Sequence, residues 1–130
     1  MPLETVRWDK GSLYIIDQTL LPTELREIEL STVDAVWEAI KSLRVRGAPA
    51  IGVCAAFGIL VAINEQAGKS TDDALVTVRS AADYLATSRP TAVNLFWALD
   101  RMRAVAEDNA HLDHAAFVAR LESEAIEICE

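Results

Sequence analysis

Two arginines in this 130-residue sequence stand where an anion could be held. Arg46 is followed by Gly47, Ala48 and Pro49, and no further charged residue occurs until Glu65. Arg89 stands in Ser88-Arg89-Pro90-Thr91, ahead of a second segment with apolar residues at helical spacing. In both cases a short proline-containing connection leads to a helix start. A helix start offers N–H groups without intrahelical partners and the positive end of the helix dipole, together worth roughly 0.3–1 kcal/mol toward an exposed anion. A guanidinium beside it adds a planar, permanently charged fork that matches phosphate or carboxylate. The same residues have an ordinary reading, in which Arg46 pairs with a surface carboxylate and Gly-Ala-Pro is a tight connection. The two arginines could clamp one phosphate only if the fold brings their helix starts together.

Other residue types with chemical potential read as structural. His111 and His114 have a spacing that can seat a metal, but no third ligand lies nearby, so they are expected to be solvated and no metal site is assigned. Cys54 lies within the apolar run and reads as a small buried hydrophobe, not a nucleophile. Asp72 and Asp73 read as helix-start charges, and Glu122, Glu124 and Glu127 as a solvent face. Trp8, Trp37 and Trp97 read as core, with Trp8 partly exposed near a turn. Asn94 reads as support for the start of its helix. No catalytic residue is assigned in this chain.

The elements that must position the arginines follow from periodicity. Val6-Arg7-Trp8, a turn at Asp9-Lys10-Gly11, and residues 13–17 predict a β-hairpin, with a third strand over 25–30. From Ser31 onward the spacing is helical. Ser31 with Asp34 has the form of a capping box, and Val33, Val36, Trp37, Ile40 and Leu43 carry a first helix to about Arg44. A second helix over 49–66 is apolar all round and must be central, with Gly68 as a stop signal. Ser70 and Asp73 open a third helix, built on Leu75, Val78, Ala82 and Leu85, which runs to about Thr87. A fourth follows over 92–106, capped by Thr91 and built on Leu95, Phe96, Leu99 and Met102. The last begins around Asp113, uses Phe117, Leu121, Ala125 and Ile128, and runs into Glu130 without a stop signal, the pattern expected of a longer chain cut within a helix.

Composition agrees with one globular domain. Apolar residues make up 52% and charged residues 25%, enough to fill a core. A formal net charge of −8 excludes the basic face that nucleic acid or an anionic membrane would need, so an anion must be caught by a local cluster. Lys41, Arg44 and Arg46 form the obvious one. Two cysteines without metal spacing, residues 1–10 without the apolar core of a secretion signal, and an apolar run too short for a membrane span lead to the expectation of a cytoplasmic protein.

Four blocks together carry a resemblance that covers nearly the whole chain from Trp8 to about Met102. They are residues 16–22 (Ile-Asp-Gln-Thr-Leu-Leu-Pro), Ala39-Ile40 ahead of residues 45–52 (Val-Arg-Gly-Ala-Pro-Ala-Ile-Gly), Ala55-Ala56-Phe57-Gly58, and residues 88–95 (Ser-Arg-Pro-Thr-Ala-Val-Asn-Leu). In order and spacing they resemble the methylthioribose-1-phosphate isomerase family. The resemblance implies an aldose–ketose isomerase of methionine salvage that converts 5-methylthioribose 1-phosphate to 5-methylthioribulose 1-phosphate, without a metal or other cofactor, as a homodimer. It implies that Arg46, Gly47, Ala48 and Arg89 contact the substrate.

The same resemblance implies that the catalytic cysteine and aspartate belong to a Rossmann-like domain that follows, and no residue here matches their motifs. The expectation is therefore an α+β, mostly α, substrate-capping domain spanning 1–130. It comprises a β-meander over 1–30 and a bundle of about five helices over 31–130, completed by an absent C-terminal domain and inactive alone. Two related readings share the architecture. One is a ribose-1,5-bisphosphate isomerase, and the other a non-catalytic regulatory subunit of the translation initiation factor 2B type that works by protein–protein contact; a plain helical interaction module is the non-enzyme alternative.

Overall fold

The computed structural model describes residues 6–9, 12–16, 27–42, 48–65, 70–89 and 93–129. Strands β1 (Val6–Asp9), β2 (Ser12–Ile16) and β3 (Glu27–Leu30) form an antiparallel sheet in the order β1-β2-β3. Five helices follow: α1 (Val33–Lys41), α2 (Ala48–Glu65), α3 (Thr71–Ala86), α4 (Val93–Asp108) and α5 (His114–Cys129). The expected α+β meander and five-helix bundle is therefore the observed fold. Among the described residues no helix is long and apolar enough to cross a membrane.

Strand register separates the two faces of the sheet. Val6 pairs with Ile15, Leu13 with Leu30, and Ile15 with Ile28, so alternate residues on three strands form one apolar face. Val6, Leu13, Ile15 and Leu30 are buried there. On the other face Arg7 lies over the Tyr14 ring at 4.3 Å and donates from Nε and Nη2 to Glu27 at 3.1 and 2.9 Å.

Helix α2 is the axle. Its residues from Ile51 to Ile63 are all buried, because the sheet and all four other helices pack around it. Small residues let those neighbours come close. A Cβ at Gly58 would lie 2.7 Å from Val36 Cγ1 and 3.2 Å from Leu85 Cδ1, so α1 and α3 meet α2 at this glycine. Trp8 brings the sheet onto the side of α2 by stacking on Phe57 at 4.9 Å.

Helix starts follow the capping chemistry, with one shift. Thr32, not Ser31, caps α1: its side chain accepts from the Ala35 N–H at 3.0 Å and its carbonyl from the Val36 N–H at 3.1 Å. The Thr hydroxyl stands three residues before Ala35, the reach an N-cap requires, and Ser31 is left exposed. Ser70 caps α3 as expected, accepting from Asp73 N–H at 3.0 Å, and Asp113 accepts from Ala116 N–H at 2.8 Å ahead of α5. Thr91 and Gly68 lie outside the described residues.

Three expectations about side chains are corrected. Trp97 is 52% exposed and not core, because the buried stripe of α4 runs through Leu95, Ala98, Leu99, Met102 and Ala106 and leaves Trp97 between its turns on the outer side. Phe96 is half-buried for the same reason. Glu124 is only 5% exposed and not on a solvent face: Arg101 Nε of α4 donates to its Oε2, and Arg120 Nη1 donates to its Oε1 at 3.0 Å.

Candidate functional site

The site expected from sequence depends on two helix starts, and the fold sets them side by side. Gly52 lies in the second turn of α2, and a Cβ placed there would stand 3.2 Å from the carbonyl oxygen of Asn94, the second residue of α4. Ala98 Cβ, one turn further along α4, is 3.5 Å from the same point. No side chain intervenes at Gly52, so the backbones meet directly. Two helix N-termini thus lie together, and each adds the positive end of its dipole.

Two of the four sequence-predicted residues, Ala48 and Arg89, are among the described residues. Ala48 opens α2. Arg89 follows the end of α3 and is half-buried. Arg46 and Gly47 lie outside the described residues; in sequence they immediately precede Ala48.

The segment that delivers Arg89 is held by an orderly set of hydrogen bonds. The Thr87 and Ser88 N–H groups donate to the carbonyls of Tyr84 and Leu85, each at 3.1 Å. Their hydroxyls donate to the same two carbonyls, each at 2.6 Å. Ser88 is 1% exposed, so its hydroxyl satisfies a carbonyl that water cannot reach. The Thr87 oxygen also accepts from Trp37 Nε1 of α1 at 2.9 Å. The Trp37 ring stacks on Tyr84 at 5.8 Å, and the Tyr84 hydroxyl donates to Asp34 Oδ1 at 2.6 Å, an acceptor that raises the tyrosine pKa. Sequence reading missed this α1–α3 contact: a tryptophan at a helical apolar position reads as core, and nothing in its spacing announces a partner 50 residues away.

Cys54 is buried, and burial pushes its thiol up to about 12, so it has no nucleophilic character, in agreement with the sequence reading. His111 is exposed, whereas His114 is half-buried with its Nε2 shielded and without a partner, which corrects the expectation of two solvated histidines. Asp72 and Asp73 lie exposed in the first turn of α3. Glu122 accepts from Trp8 Nε1 at 2.7 Å. Among the described residues no group of three His, Cys, Asp or Glu side chains is placed to hold a metal ion.

A groove of about 340 Å³ lies at the opposite end of α2, lined among others by Val33, Ala62, Glu65, Thr77 and Tyr84. It is a poor place for an anion. Glu65 brings a carboxylate there, and the last turn of α2 presents the negative end of its dipole. Two of its polar groups are already engaged: Glu65 Oε1 accepts from Val33 N–H at 2.5 Å and Thr77 Oγ1 donates to the Asp73 carbonyl at 3.0 Å. The paired helix starts are the better candidate on charge.

Comparison with known proteins gives one family match and similar chains of two kinds. Residues 44–130 match the initiation factor 2 subunit family. A 5-deoxyribose 1-phosphate isomerase from Bacillus cereus is 50% identical over 95% of this chain and 35% of its own length. Among solved structures, a 5-methylthioribose 1-phosphate isomerase from Pyrococcus horikoshii OT3 superposes with a TM-score of 0.90 at 39% identity, over 95% of this chain and 35% of that one. The delta subunit of translation initiation factor eIF-2B from A. fulgidus also superposes with a TM-score of 0.90, at 38% identity over 98% of this chain and 36% of that one. The chain therefore spans about a third of the length of the relatives it matches.

Proposed function

This chain belongs to the initiation factor 2 subunit family, and from that premise we propose that it is the N-terminal, substrate-capping part of a sugar-phosphate isomerase. Its task is to hold the phosphate of an aldose 1-phosphate at the paired starts of α2 and α4. Arg46 and Arg89 supply the guanidinium forks, and Gly47 and Ala48 supply backbone N–H groups. The observation that carries this reading is the direct contact of the two helix starts at Gly52 and Asn94.

A phosphate on C1 prevents the simple ring opening available to a free sugar. The reaction then needs a positioned acid, a base and a pocket closed to water. In this reading the chain supplies the phosphate clamp, and the acid and base fall to the remainder of a longer polypeptide, acting in a homodimer.

The substrate favoured by the resemblance is 5-methylthioribose 1-phosphate. A second reading, 5-deoxyribose 1-phosphate, is supported by the 50% identity to the Bacillus cereus isomerase. Both are pentose 1-phosphates that lack a free 5-hydroxyl, so the clamp proposed here serves either. A third reading, a regulatory subunit, takes its support from the eIF-2B structure. Binding separates it from the other two.

The test is calorimetric titration of the 130-residue chain with both sugar phosphates, alongside Arg46→Ala and Arg89→Ala variants. Charge-assisted hydrogen bonds contribute about 1.5–3 kcal/mol each, so each variant is expected to bind at least about tenfold more weakly. Turnover by the chain alone would overturn its assignment as a cap without catalytic groups. Equal affinity in all three proteins would overturn the clamp.

A further inference from the structure

The three tryptophans of the chain are used differently. Trp8 and Trp37 each donate the indole N–H to another element, to Glu122 at 2.7 Å and to Thr87 at 2.9 Å, and each stacks on a second ring. Among the described residues Trp97 does neither. Its ring instead carries the guanidinium of Arg101, one turn along α4, at 5.4 Å from the centroid. Val93, one turn before Trp97, is 77% exposed, so Val93, Trp97 and Arg101 form a stripe on the outside of α4.

The charge beside this stripe is unbalanced. Arg7, Arg79 and Arg103 each have at least one carboxylate of their own: Glu27, Glu107, and the pair Asp83 and Asp100. Arg101 and Arg120 share a single one, Glu124. Arg101 gives it Nε and Arg120 gives it Nη1, and the remaining guanidinium N–H donors of both have no acceptor among the described residues. The cluster is thus net positive on a chain whose formal charge is −8. Because Glu124 is buried, it holds both guanidiniums in place, so a partner that meets them costs little of their side-chain freedom.

A helix face of this kind suits a protein and not a small molecule. The stripe lies on the outer surface of α4, and Val93 and Trp97 offer apolar area that another surface laid across it can cover. Tryptophan and arginine are the residue types that dominate binding energy at such contacts. The charge left over on the two guanidiniums selects a carboxylate. We propose that the Val93–Trp97–Arg101 stripe, with Arg120, is a protein-docking surface for an acidic segment of a partner polypeptide. That segment lays an apolar side chain across Val93 and Trp97 and places a carboxylate between Arg101 and Arg120. The surface uses none of the residues of the phosphate clamp.

The experiment titrates the ¹⁵N-labelled 130-residue chain with the peptide Ac-Leu-Glu-Ala-Leu-Glu-Ala-NH₂ and with its counterpart carrying glutamine for glutamate. The glutamate peptide is expected to shift the Trp97 indole and Arg101 Nε–H resonances and to leave the indoles of Trp8 and Trp37 in place. The glutamine peptide is expected to bind about fivefold more weakly, since a charge-assisted hydrogen bond is roughly twice as strong as a neutral one. Trp97→Ala removes an exposed side chain and leaves the core intact, and it is expected to weaken the glutamate peptide at least about fivefold. Arg120→Gln leaves Glu124 to Arg101 and is expected to lose the preference for glutamate. Val76→Ala, at an exposed apolar residue of α3, is expected to bind as the unaltered chain does. Equal affinity of the unaltered chain for both peptides would overturn the proposal, as would undiminished binding by Trp97→Ala or no shift at Trp97 with peptide in the millimolar range. Dimerisation of the chain on its own, abolished by Trp97→Ala in sedimentation, would also overturn it by making a second copy the occupant.

Discussion

The carbonyl oxygen of Asn94 stands 3.2 Å from where a Cβ on Gly52 would be, so the second turn of α2 and the first turn of α4 touch without an intervening side chain. Replacing Gly52 by Ala sets two effects against each other. Alanine favours the helix by roughly 1 kcal/mol, while the new methyl group pushes the α4 backbone away by a few tenths of an ångström. Global stability is therefore expected to change by less than about 1 kcal/mol in urea titrations, while phosphate affinity falls. A Gly52→Ala chain with undiminished affinity would mean that the spacing of the two helix starts is unimportant to the site.

Gly58 is a harder case. A Cβ there would meet Val36 Cγ1 at 2.7 Å and Leu85 Cδ1 at 3.2 Å, and the branched Val36 side chain is stiff. Gly58→Ala is expected to destabilise the chain by about 1–3 kcal/mol despite its better helix propensity. Shortening Val36 to Ala in the same chain should recover part of that loss, giving a favourable coupling in a double-mutant cycle. Additive losses would refute the contact.

These glycines mark the limit of what the sequence discloses. Element types were legible because their signals are local: the alternation around Val6 and Leu13, the Ser70 cap and the all-apolar run of α2 each lie within one stretch. The proposed anion site rests on the same kind of local signal, an arginine and a proline ahead of each helix start. What was not legible depends on residues far apart in the chain. Glu124 looks like one of several acidic residues until Arg101 meets it from α4, and Trp97 looks like core until the stripe of α4 is seen to pass beside it. The choice of Thr32 over Ser31 as cap rests on a one-residue difference in backbone geometry that composition does not encode.

Glu124 also sets an expected pH dependence. Burial alone would raise its pKa, but the hydrogen bonds and charges of Arg101 and Arg120 outweigh burial and hold the carboxyl below its ordinary 4.5. A carboxylate with a depressed folded-state pKa contributes stability that is complete above the ordinary value and lost as pH falls through the folded one. Glu124→Gln is expected to cost about 1–3 kcal/mol near neutral pH. Exposure of the guanidiniums, 32% for Arg101 and 39% for Arg120, moves this toward the lower figure. The gap between the two proteins should narrow as pH falls below the ordinary carboxyl value and through the lowered folded one, read from urea midpoints. A constant gap across that range would show that the charge on Glu124 contributes nothing.

Cys54 offers a direct probe of opening. Its thiol is buried and pushed up to about 12, so in a Cys129→Ser chain it should react with an aromatic disulfide reagent only through unfolding. Labelling at pH 8 is expected to be at least about a hundredfold slower than in concentrated urea, and to track stability in the Gly58→Ala variant. Rapid labelling of the native chain would place Cys54 on an accessible surface.

Trp8 donates to Glu122 across 114 residues of sequence, and its ring rests on Phe57 at 4.9 Å. β1 is made well before the partner that secures it, which belongs to α5. Until that partner is made the apolar side of the hairpin has no complete seat, and a short hairpin alone is marginal in water. Among the described residues the hairpin is consequently held by an element made long after it, as a latch waits for its catch.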